Sequence, residues 1–363
     1  MASTAQVQIE NLTFNNQGIT DLRELLFLSI LKFGAISEIT DVNFGIIKGK
    51  KVAGIGEFSP VGKSTGANCA PNWQASKLAT VEKEWSPAEW EVAEKICYKD
   101  FEETIFKWAM KTGNDIGDFT GTDAMDVVIE PALSLAIAKM YWRLIWFGDL
   151  NAANVTDGGI ITNNVNVDLF NVCDGLFKQL FALPAAQKFA ITANSAATKA
   201  LQRSQMMNVN AVTGQTATQI FDGLIYNASM ALRQKANAAI YCTQSLADAL
   251  AADIKANNKG SDLQWQSLFD GFAYATQYNT VRVVALPIWD EMIRAFEDNG
   301  TTWNKPHRAV FATQDMLKVG IESTDMLQQL RIWFEPKDQE TLMLAKDKID
   351  TKIWEDPLFM VAY

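Results

Sequence analysis

Residues 281–363 constrain the fold most, because their apolar residues repeat with the periods of short strands and one helix. Residues 281–285 form a β-branched run that Pro287 interrupts, and residues 288–296 have the spacing of an amphipathic helix. Residues 330–335 alternate apolar and polar side chains, which is typical of a strand with two different faces. A turn at 336–339 sends residues 341–345 back antiparallel, and residues 358–363 add a last strand. This pattern predicts a sheet and shows no catalytic motif.

Composition indicates a large, rigid protein rather than a disordered or nucleic-acid-wrapping one. The chain has 363 residues, a length at which two domains are expected. Hydrophobic residues make up 48% and charged residues 20%, with 11 Trp and 20 Phe, so a sizeable core is available. The net charge of −10 argues against a protein that grips DNA, because phosphate binding requires clustered Lys and Arg.

A cationic segment stands out on this acidic chain. Residues 39–47 and 52–58 read as strands on either side of a Lys-Gly-Lys-Lys turn, which predicts a hairpin between them. Residues 44–77 contain five lysines and one acid, a local charge of +4 that leaves −14 on the rest. Isolated hairpins are only marginally stable, so a partner surface is expected. We predict intersubunit contacts through the lysines of this segment: Lys48, Lys50, Lys51, Lys63 and Lys77.

Helix signals follow the cationic segment. Ser86 and Glu89 have the spacing of a capping box, with Trp85 and Trp90 as a hydrophobic staple, which predicts a helix from Ser86 to about residue 111. A second helix is predicted for residues 123–147, with a kink at Pro131. Further helices are expected near 21–33, 168–181, 216–235 and 244–255. A strand at 238–242 should feed the last of these, with Thr243 as its cap.

Catalytic and metal chemistry is weakly represented. Residues 56–65, GEFSPVGKST, miss the phosphate-loop spacing by one position and place Glu57 where glycine is required, which disfavours nucleotide binding at Lys63. His307 is the only histidine and reads as a surface or hinge residue. The four cysteines form no C-x-x-C pair, so buried reduced thiols are expected and no metal or cofactor site is predicted.

Targeting and membrane signals are also weak. The first residues lack the basic start and apolar region of a secretory signal. The most apolar window, residues 132–147, contains Lys139 and Arg143 and is shorter than a membrane span. We therefore expect a soluble protein made in the cytoplasm, with no membrane partner.

The order of parts resembles a known family. A predicted hairpin is followed by a long helix that ends in Trp-Phe-Gly-Asp at 146–149. An inserted α/β segment comes next, and Trp-Glu-Asp-Pro at 354–357 then precedes a terminal apolar strand. This order is similar to that of tailed-phage major capsid proteins with the Hong Kong 97-like fold, and most of all to those of crAss-like gut phages. The resemblance implies an α+β fold with an N-terminal arm (1–37), an extended loop (38–84), a peripheral domain with a spine helix (85–148), an axial domain (149–306) and a second peripheral part (307–363).

The resemblance also implies a function. A chain of this family is no enzyme; it self-assembles as hexamers and pentamers into an icosahedral shell around double-stranded DNA, with portal, scaffold and cement or head-fibre proteins as partners. The expected location is the virion capsid, assembled in the bacterial cytoplasm. Two alternatives stay open, an encapsulin-type nanocompartment shell and a nucleotide-dependent enzyme that uses Lys63. In the founding member a loop lysine is joined covalently to an asparagine of a neighbour's peripheral domain, but no asparagine follows Asn304 here.

Overall fold

The computed structural model describes residues 36–58, 60–62, 77–97, 129–152, 167–192, 216–256, 263–298, 302–323 and 331–363. Lys63, the predicted helix at 21–33 and residues 98–128 lie outside this part of the chain. The strands are β1 Asp41–Phe44, β2 Lys51–Phe58, β3 Leu78–Glu84, β4 Ala88–Cys97, β5 Lys188–Phe189, β6 Ala239–Thr243, β7 Gln266–Leu268, β8 Ala273–Tyr278, β9 Val281–Leu286, β10 Ala309–Ala312, β11 Leu317–Ile321, β12 Arg331–Glu335, β13 Glu340–Ile353 and β14 Met360–Ala362. The α-helices are α1 Glu130–Phe147, α2 Leu176–Phe181, α3 Ala217–Asn227, α4 Met230–Gln234, α5 Gln244–Ala256 and α6 Pro287–Phe296.

A five-stranded sheet is organised by the long strand β13. It has the order β1-β11-β13-β12, with β4 also paired to β13. The first half of β13 lies between β12 and β4, and its second half pairs with β11. The predicted turn at 336–339 and the return strand are confirmed, although β13 continues to Ile353, well beyond the predicted end at 345.

The predicted helix that begins at Ser86 is wrong over Ala88–Cys97, which is strand β4. Its backbone pairs antiparallel with Glu340–Ile349 of β13, and the Ser86 amide donates to the Asp350 carboxylate at 2.7 Å. Pairing with β13 satisfies the backbone N–H and C=O groups that helical hydrogen bonds and a capping box would otherwise satisfy. The tertiary contact therefore overrides the local preference of this segment for a helix. Trp85 and Trp90 are both buried as expected, but as strand-flanking and strand residues rather than as a helix staple.

The second sheet has seven strands in the order β5-β14-β10-β6-β9-β8-β7. Strands β6 and β9 are parallel and β10 lies antiparallel to both β6 and β14. The predicted strands at 238–242 and 281–285 and the helix after Pro287 are confirmed. Because β10 and β14 join this sheet, the predicted boundary at residue 306 does not coincide with a change of sheet.

Helix α1 contributes many buried side chains to the core. Its indole Trp146 packs edge-on to Trp289 of α6, with ring centroids 4.5 Å apart, and Phe177 of α2 lies against both rings. Pro131 lies in the first turn of α1, a position that tolerates its missing N–H; the residues before 129, on which the predicted kink depends, lie outside the described part. Gly148 follows the helix as predicted and donates to Leu144.

Three predicted helices differ from the observed ones in extent or capping. Within the 168–181 segment, only Leu176–Phe181 form an α-helix. The 216–235 segment forms two helices, α3 and α4, and the Ser229 side chain caps α4. Thr243 is not the cap of α5. The Asp290 carboxylate of α6 instead accepts from the Gln244 and Ser245 amides at 2.6 and 3.3 Å, so the cap comes from a distant helix.

His307 and Arg308 are both buried, which corrects the expectation that His307 lies at the surface. Arg308 donates to the buried Glu297 carboxylate at 2.7 Å and lies over the Phe147 and Phe177 rings, at 5.2 and 4.8 Å from their centroids. Burial raises the pKa of Glu297, against the opposing effect of Arg308. The Arg308–Glu297 ion pair and the Phe147 and Phe177 rings beside it thus connect α1, α2 and the ends of α6 and β10.

Candidate intersubunit surface

The hairpin that carries the predicted contacts is formed by β2 and β3. It had been expected between the 39–47 and 52–58 segments, but β1 pairs in parallel with β11 of the five-stranded sheet. Strand β2 pairs antiparallel with β3, from Lys51 opposite Glu84 to Phe58 opposite Leu78. Strand β1 is therefore part of the body, and only β2 and β3 form a separate two-stranded sheet.

A register shift in β2 determines which side chains share a face of this hairpin. Ile55 is opposite Thr80 and Phe58 is opposite Leu78, so β2 advances three residues while β3 advances two. Because one extra residue reverses the alternation, Phe58 returns to the face that Ile55 and Leu78 occupy. The outer face of the hairpin is defined here as Lys51, Ala53, Ile55, Phe58, Leu78, Thr80, Glu82 and Glu84.

The outer face has an ionic part near the body and an apolar part farther along the strands. Lys51 pairs with Glu82, and this hydrogen bond together with the carboxylate charge raises the pKa of Lys51. Beyond this pair, Ile55 is 76% exposed, Phe58 63% and Leu78 39%. Exposed apolar side chains grouped on a two-stranded sheet are a common feature of surfaces that bind a partner.

The predicted contact lysines occupy different positions relative to this face. Lys48 and Lys50 are exposed in the turn before β2, where the Lys50 ammonium donates to the Gly45 carbonyl at 3.4 Å. Lys51 already has an intramolecular partner, Lys77 is exposed at the start of β3, and Lys63 lies outside the described residues. Lys48 and Lys50 are therefore both exposed in the turn at the base of the hairpin.

The hairpin is less cationic than the lysine count suggested. Extending the window from 48 to 84 adds Lys83 but also Glu82 and Glu84, which brings the local charge to +3. Sequence reasoning also missed the apolar residues of the outer face, Ile55, Phe58 and Leu78. Their signal was present as apolar positions in a strand, but the face they share depends on the register shift.

The opposite face is defined here as the inner face (Val52, Gly54, Val81 and Lys83). It contacts the body of the protein at Gly54 and Lys83, while Val81 is 37% exposed. A Cβ added at Gly54 would lie 2.6 Å from Cζ2 of Trp354, so the absence of a side chain lets the indole approach the strand. Lys83 forms an ion pair with Asp356 of the same loop. The base of the hairpin is thus attached at two adjacent points.

A second tryptophan holds the base from the other direction. Trp85, which directly follows β3, is buried, and a Cβ added at Gly320 of β11 would lie 2.9 Å from its ring. Its amide donates to Lys50, and its carbonyl accepts from Gly49 at 3.1 Å. Each tryptophan therefore packs against a glycine: Trp354 of the body against Gly54 of the hairpin, and Trp85 beside the hairpin against Gly320 of the body.

The structure offers little catalytic geometry. Ser245 Oγ lies 3.0 Å from Nδ1 of His307, but both side chains are buried within the α5 capping region. Among the described residues, no group of three or more His, Cys, Asp or Glu side chains could hold a metal ion. Cys173 and Cys242 are buried free thiols and Cys97 is half-buried, while Cys69 is outside the described ranges. Burial raises the pKa of both Cys173 and Cys242, which disfavours reactive thiolates.

A further property concerns membranes: none of the helices in the described ranges is long and apolar enough to cross one.

Solved structures of phage and related particles share this fold. No family model matches the chain, and no curated protein matches it in sequence. The chain is similar to one from the satellite phage P4 procapsid, with 13% identity, 90% of this chain and 87% of that chain covered, and a TM-score of 0.51. It is also similar to one from the capsid of a native GTA particle, with 12% identity, 93% and 92% covered, and a TM-score of 0.52. A chain of Microbacterium phage Oxtober96 matches with 11% identity, 96% and 95% covered, and a TM-score of 0.52.

These likenesses cover 90–96% of this chain and 87–95% of the others. Together with the mixed α and β content, they confirm the predicted α+β, Hong Kong 97-like capsid fold. At identities of 11–13% they establish the fold alone.

Proposed function

We propose that this chain is the major capsid protein of a tailed phage and self-assembles into an icosahedral shell around double-stranded DNA. The observation that supports this most is the full-length likeness to chains from a procapsid and a capsid, combined with a hairpin whose outer face is apolar and exposed. A shell subunit must present surfaces that repeat from copy to copy, and such a face meets that requirement. The net charge of −10 suits a shell that encloses DNA without binding it tightly.

In this proposal the hairpin contacts a neighbouring subunit through Ile55, Phe58 and Leu78, with Lys48, Lys50, Lys51, Lys63 and Lys77 directed at acidic surface of adjacent copies. Burial of the apolar side chains provides affinity, and the lysines affect association rate and salt dependence. Strands β5 to β9 of the seven-stranded sheet and its helices belong to the axial domain (149–306), near the five-fold and quasi-six-fold axes, whereas β10 and β14 of that sheet fall in the second peripheral part (307–363). The five-stranded sheet and α1 belong to the peripheral domain and spine helix.

Finer features of the proposal rest on the sequence resemblance. They are kinship with crAss-like gut phages, hexamers and pentamers as building units, portal, scaffold and cement or head-fibre partners, and assembly in the bacterial cytoplasm. The chain has no enzymatic role in this proposal.

Electron microscopy of the purified, concentrated protein tests the proposal. We expect closed, uniform shells, and analytical ultracentrifugation should show a large species in equilibrium with small ones. A chain that stays monomeric at all concentrations and salt conditions would contradict the proposal. Shells isolated from infected or expressing cells that enclose a specific protein instead of DNA would favour the encapsulin-type alternative, and tight nucleotide binding abolished by Lys63→Ala would favour the enzyme.

A further inference from the structure

The short loop at residues 354–357, between β13 and β14, contacts two separate parts of the fold. Glu355 has left-handed backbone geometry, with φ of 57° and ψ of 53°. This region is unfavourable for a residue with a Cβ, so the surrounding contacts must hold the loop in place. The amide of Trp354 donates to the Met316 carbonyl at 2.7 Å, which anchors the start of the loop beside β11.

One side of the loop holds the hairpin. The Trp354 ring, 9% exposed, occupies the space that a side chain at Gly54 would need. Asp356 pairs with Lys83, whose side chain is 21% exposed. Both contacts lie on the inner face of the hairpin, on opposite strands, so a change in its angle relative to the body must disturb one of them.

The other side of the loop holds the part of the chain that carries the seven-stranded sheet. Glu355 pairs at 2.6 Å with Lys235, which directly follows α4 and leads to β6. The Gln187 side-chain amide, next to β5, donates to the Asp356 carbonyl and to the Phe359 carbonyl, the latter at 3.2 Å. The loop therefore contacts segments adjoining two strands of that sheet.

The two attachments meet at consecutive residues. The carboxylate of Glu355 binds a lysine of the α4–β6 segment, and the carboxylate of Asp356 binds a lysine of the hairpin. Because the two side chains leave the backbone at adjacent residues, a displacement of the backbone at 355–356 carries both ion pairs with it. Chains of packed side chains and ion pairs of this kind can carry energetic coupling between distant parts of a protein.

We propose that the 354–357 loop is a coupling junction, through which the position of the seven-stranded sheet and its helices sets the angle of the β2–β3 hairpin. The coupling is a property of the single chain and goes beyond the proposed shell function. If the hairpin contacts neighbouring subunits, a shift in one sheet would alter the direction in which the outer face is presented.

Hydrogen exchange of the full-length, unassembled chain, followed by mass spectrometry, tests the coupling. Lys235→Gln removes the 2.6 Å pair with Glu355 on the far side of the loop, together with a longer 3.9 Å contact to Asp315, and leaves the residues of the hairpin unchanged. We expect amide exchange in β2 and β3 to rise about threefold, as expected for losing one partly exposed ion pair. Lys83→Gln should raise it at least as much, because that pair holds the hairpin directly.

The control variant is Lys346→Gln, which removes the Lys346 to Glu91 pair between β13 and β4, away from the junction. It should leave hairpin exchange at the wild-type value, and exchange of β6 and β10 should stay unchanged in all three variants. The coupling would be overturned if Lys83→Gln raised hairpin exchange while Lys235→Gln left it unchanged. It would equally be overturned if neither variant changed it.

A second pair of variants separates coupling from a local effect of Lys235. Glu355→Asn removes the carboxylate but tolerates left-handed backbone, so it should reproduce the rise seen for Lys235→Gln. The double variant should show no further increase, because both changes break the same link. Additive effects would contradict a shared junction. Since the unassembled chain is measured, the result does not depend on shell formation.

Discussion

The indole of Trp354 lies against Gly54, so closely that a Cβ at position 54 would be 2.6 Å from Cζ2 of the ring. Residue 354 follows the long strand of the five-stranded sheet, and residue 54 lies in the middle of β2 in the hairpin. A glycine in a strand ordinarily weakens it, because it adds backbone freedom and packs no side chain. Here it makes room for the largest side chain at the base of the hairpin.

Gly54→Ala should therefore destabilise the chain by about 1–3 kcal/mol, the usual range for forcing extra volume into a packed site. Urea denaturation of the unassembled protein measures the free energy of unfolding. The matched control is Ala53→Val, one residue earlier on the exposed outer face, which should be neutral within about 0.5 kcal/mol. Equal effects of the two substitutions would contradict the packing of Trp354 on Gly54.

Ile55→Asp should abolish or strongly reduce assembly while leaving the subunit folded. The side chain is 76% exposed, so its replacement removes little intramolecular packing but places a charge on the proposed intersubunit surface. Light scattering and electron microscopy report assembly, and circular dichroism reports folding. Ile55→Val, which keeps an apolar β-branched side chain, should assemble normally; normal shells from Ile55→Asp would remove the outer face from the proposed interface.

Reversing charge at the base of the hairpin should slow assembly and change its salt dependence. Lys48→Glu combined with Lys50→Glu is the informative variant, because both side chains are exposed in one turn, whereas Lys51 already pairs with Glu82. Exposed charges mainly affect association rate, so the defect should diminish at high salt. The Lys48→Arg and Lys50→Arg double variant keeps the charge and should assemble as wild type. An unchanged rate for the glutamate variant would contradict a role for these lysines.

Arg308→Met should destabilise the chain by about 3–5 kcal/mol, because it leaves the buried Glu297 carboxylate without its charged partner. Arg282→Met, at an exposed position of β9, should change the free energy of unfolding by less than about 0.5 kcal/mol. The same urea titration measures both. A loss below about 1 kcal/mol for Arg308→Met would show that Glu297 finds another partner or is protonated without cost.

Mature particles boiled in detergent should release a single band near 40.3 kDa. The covalent link of the founding member needs an asparagine in the peripheral domain, and the returning part of that domain, residues 307–363, contains none. Non-covalent burial, charge pairing or cement proteins would then stabilise the shell. A ladder of multimers that survives reduction and boiling would contradict this prediction.

Local patterns in the sequence were sufficient for several elements. The β9–α6 unit, the 336–339 turn and the end of α1 before Gly148 were predicted because alternation, turn residues and helix breakers act within a few positions. The fold class was predicted from the resemblance of this order of parts to that of tailed-phage capsid proteins. Contact lysines were chosen from charge alone, and their role stays a prediction.

The remaining features depend on contacts between residues distant in sequence. Ser86 and Glu89 have the pattern of a helix start, yet the backbone of β4 hydrogen-bonds to β13, some 250 residues later, and that pairing determines its conformation. Asp290 caps α5 although Thr243 was the nearer candidate, and the register shift after Ile55 turns Phe58 to the outer face. Local propensities differ by about 1 kcal/mol or less per residue, so many backbone pairs and buried side chains outweigh them. The sequence by itself determined the elements whose signals are local, such as the β9–α6 unit and the 336–339 turn; only the tertiary structure decided that residues 88–97 form a strand, which strands pair and which faces remain exposed.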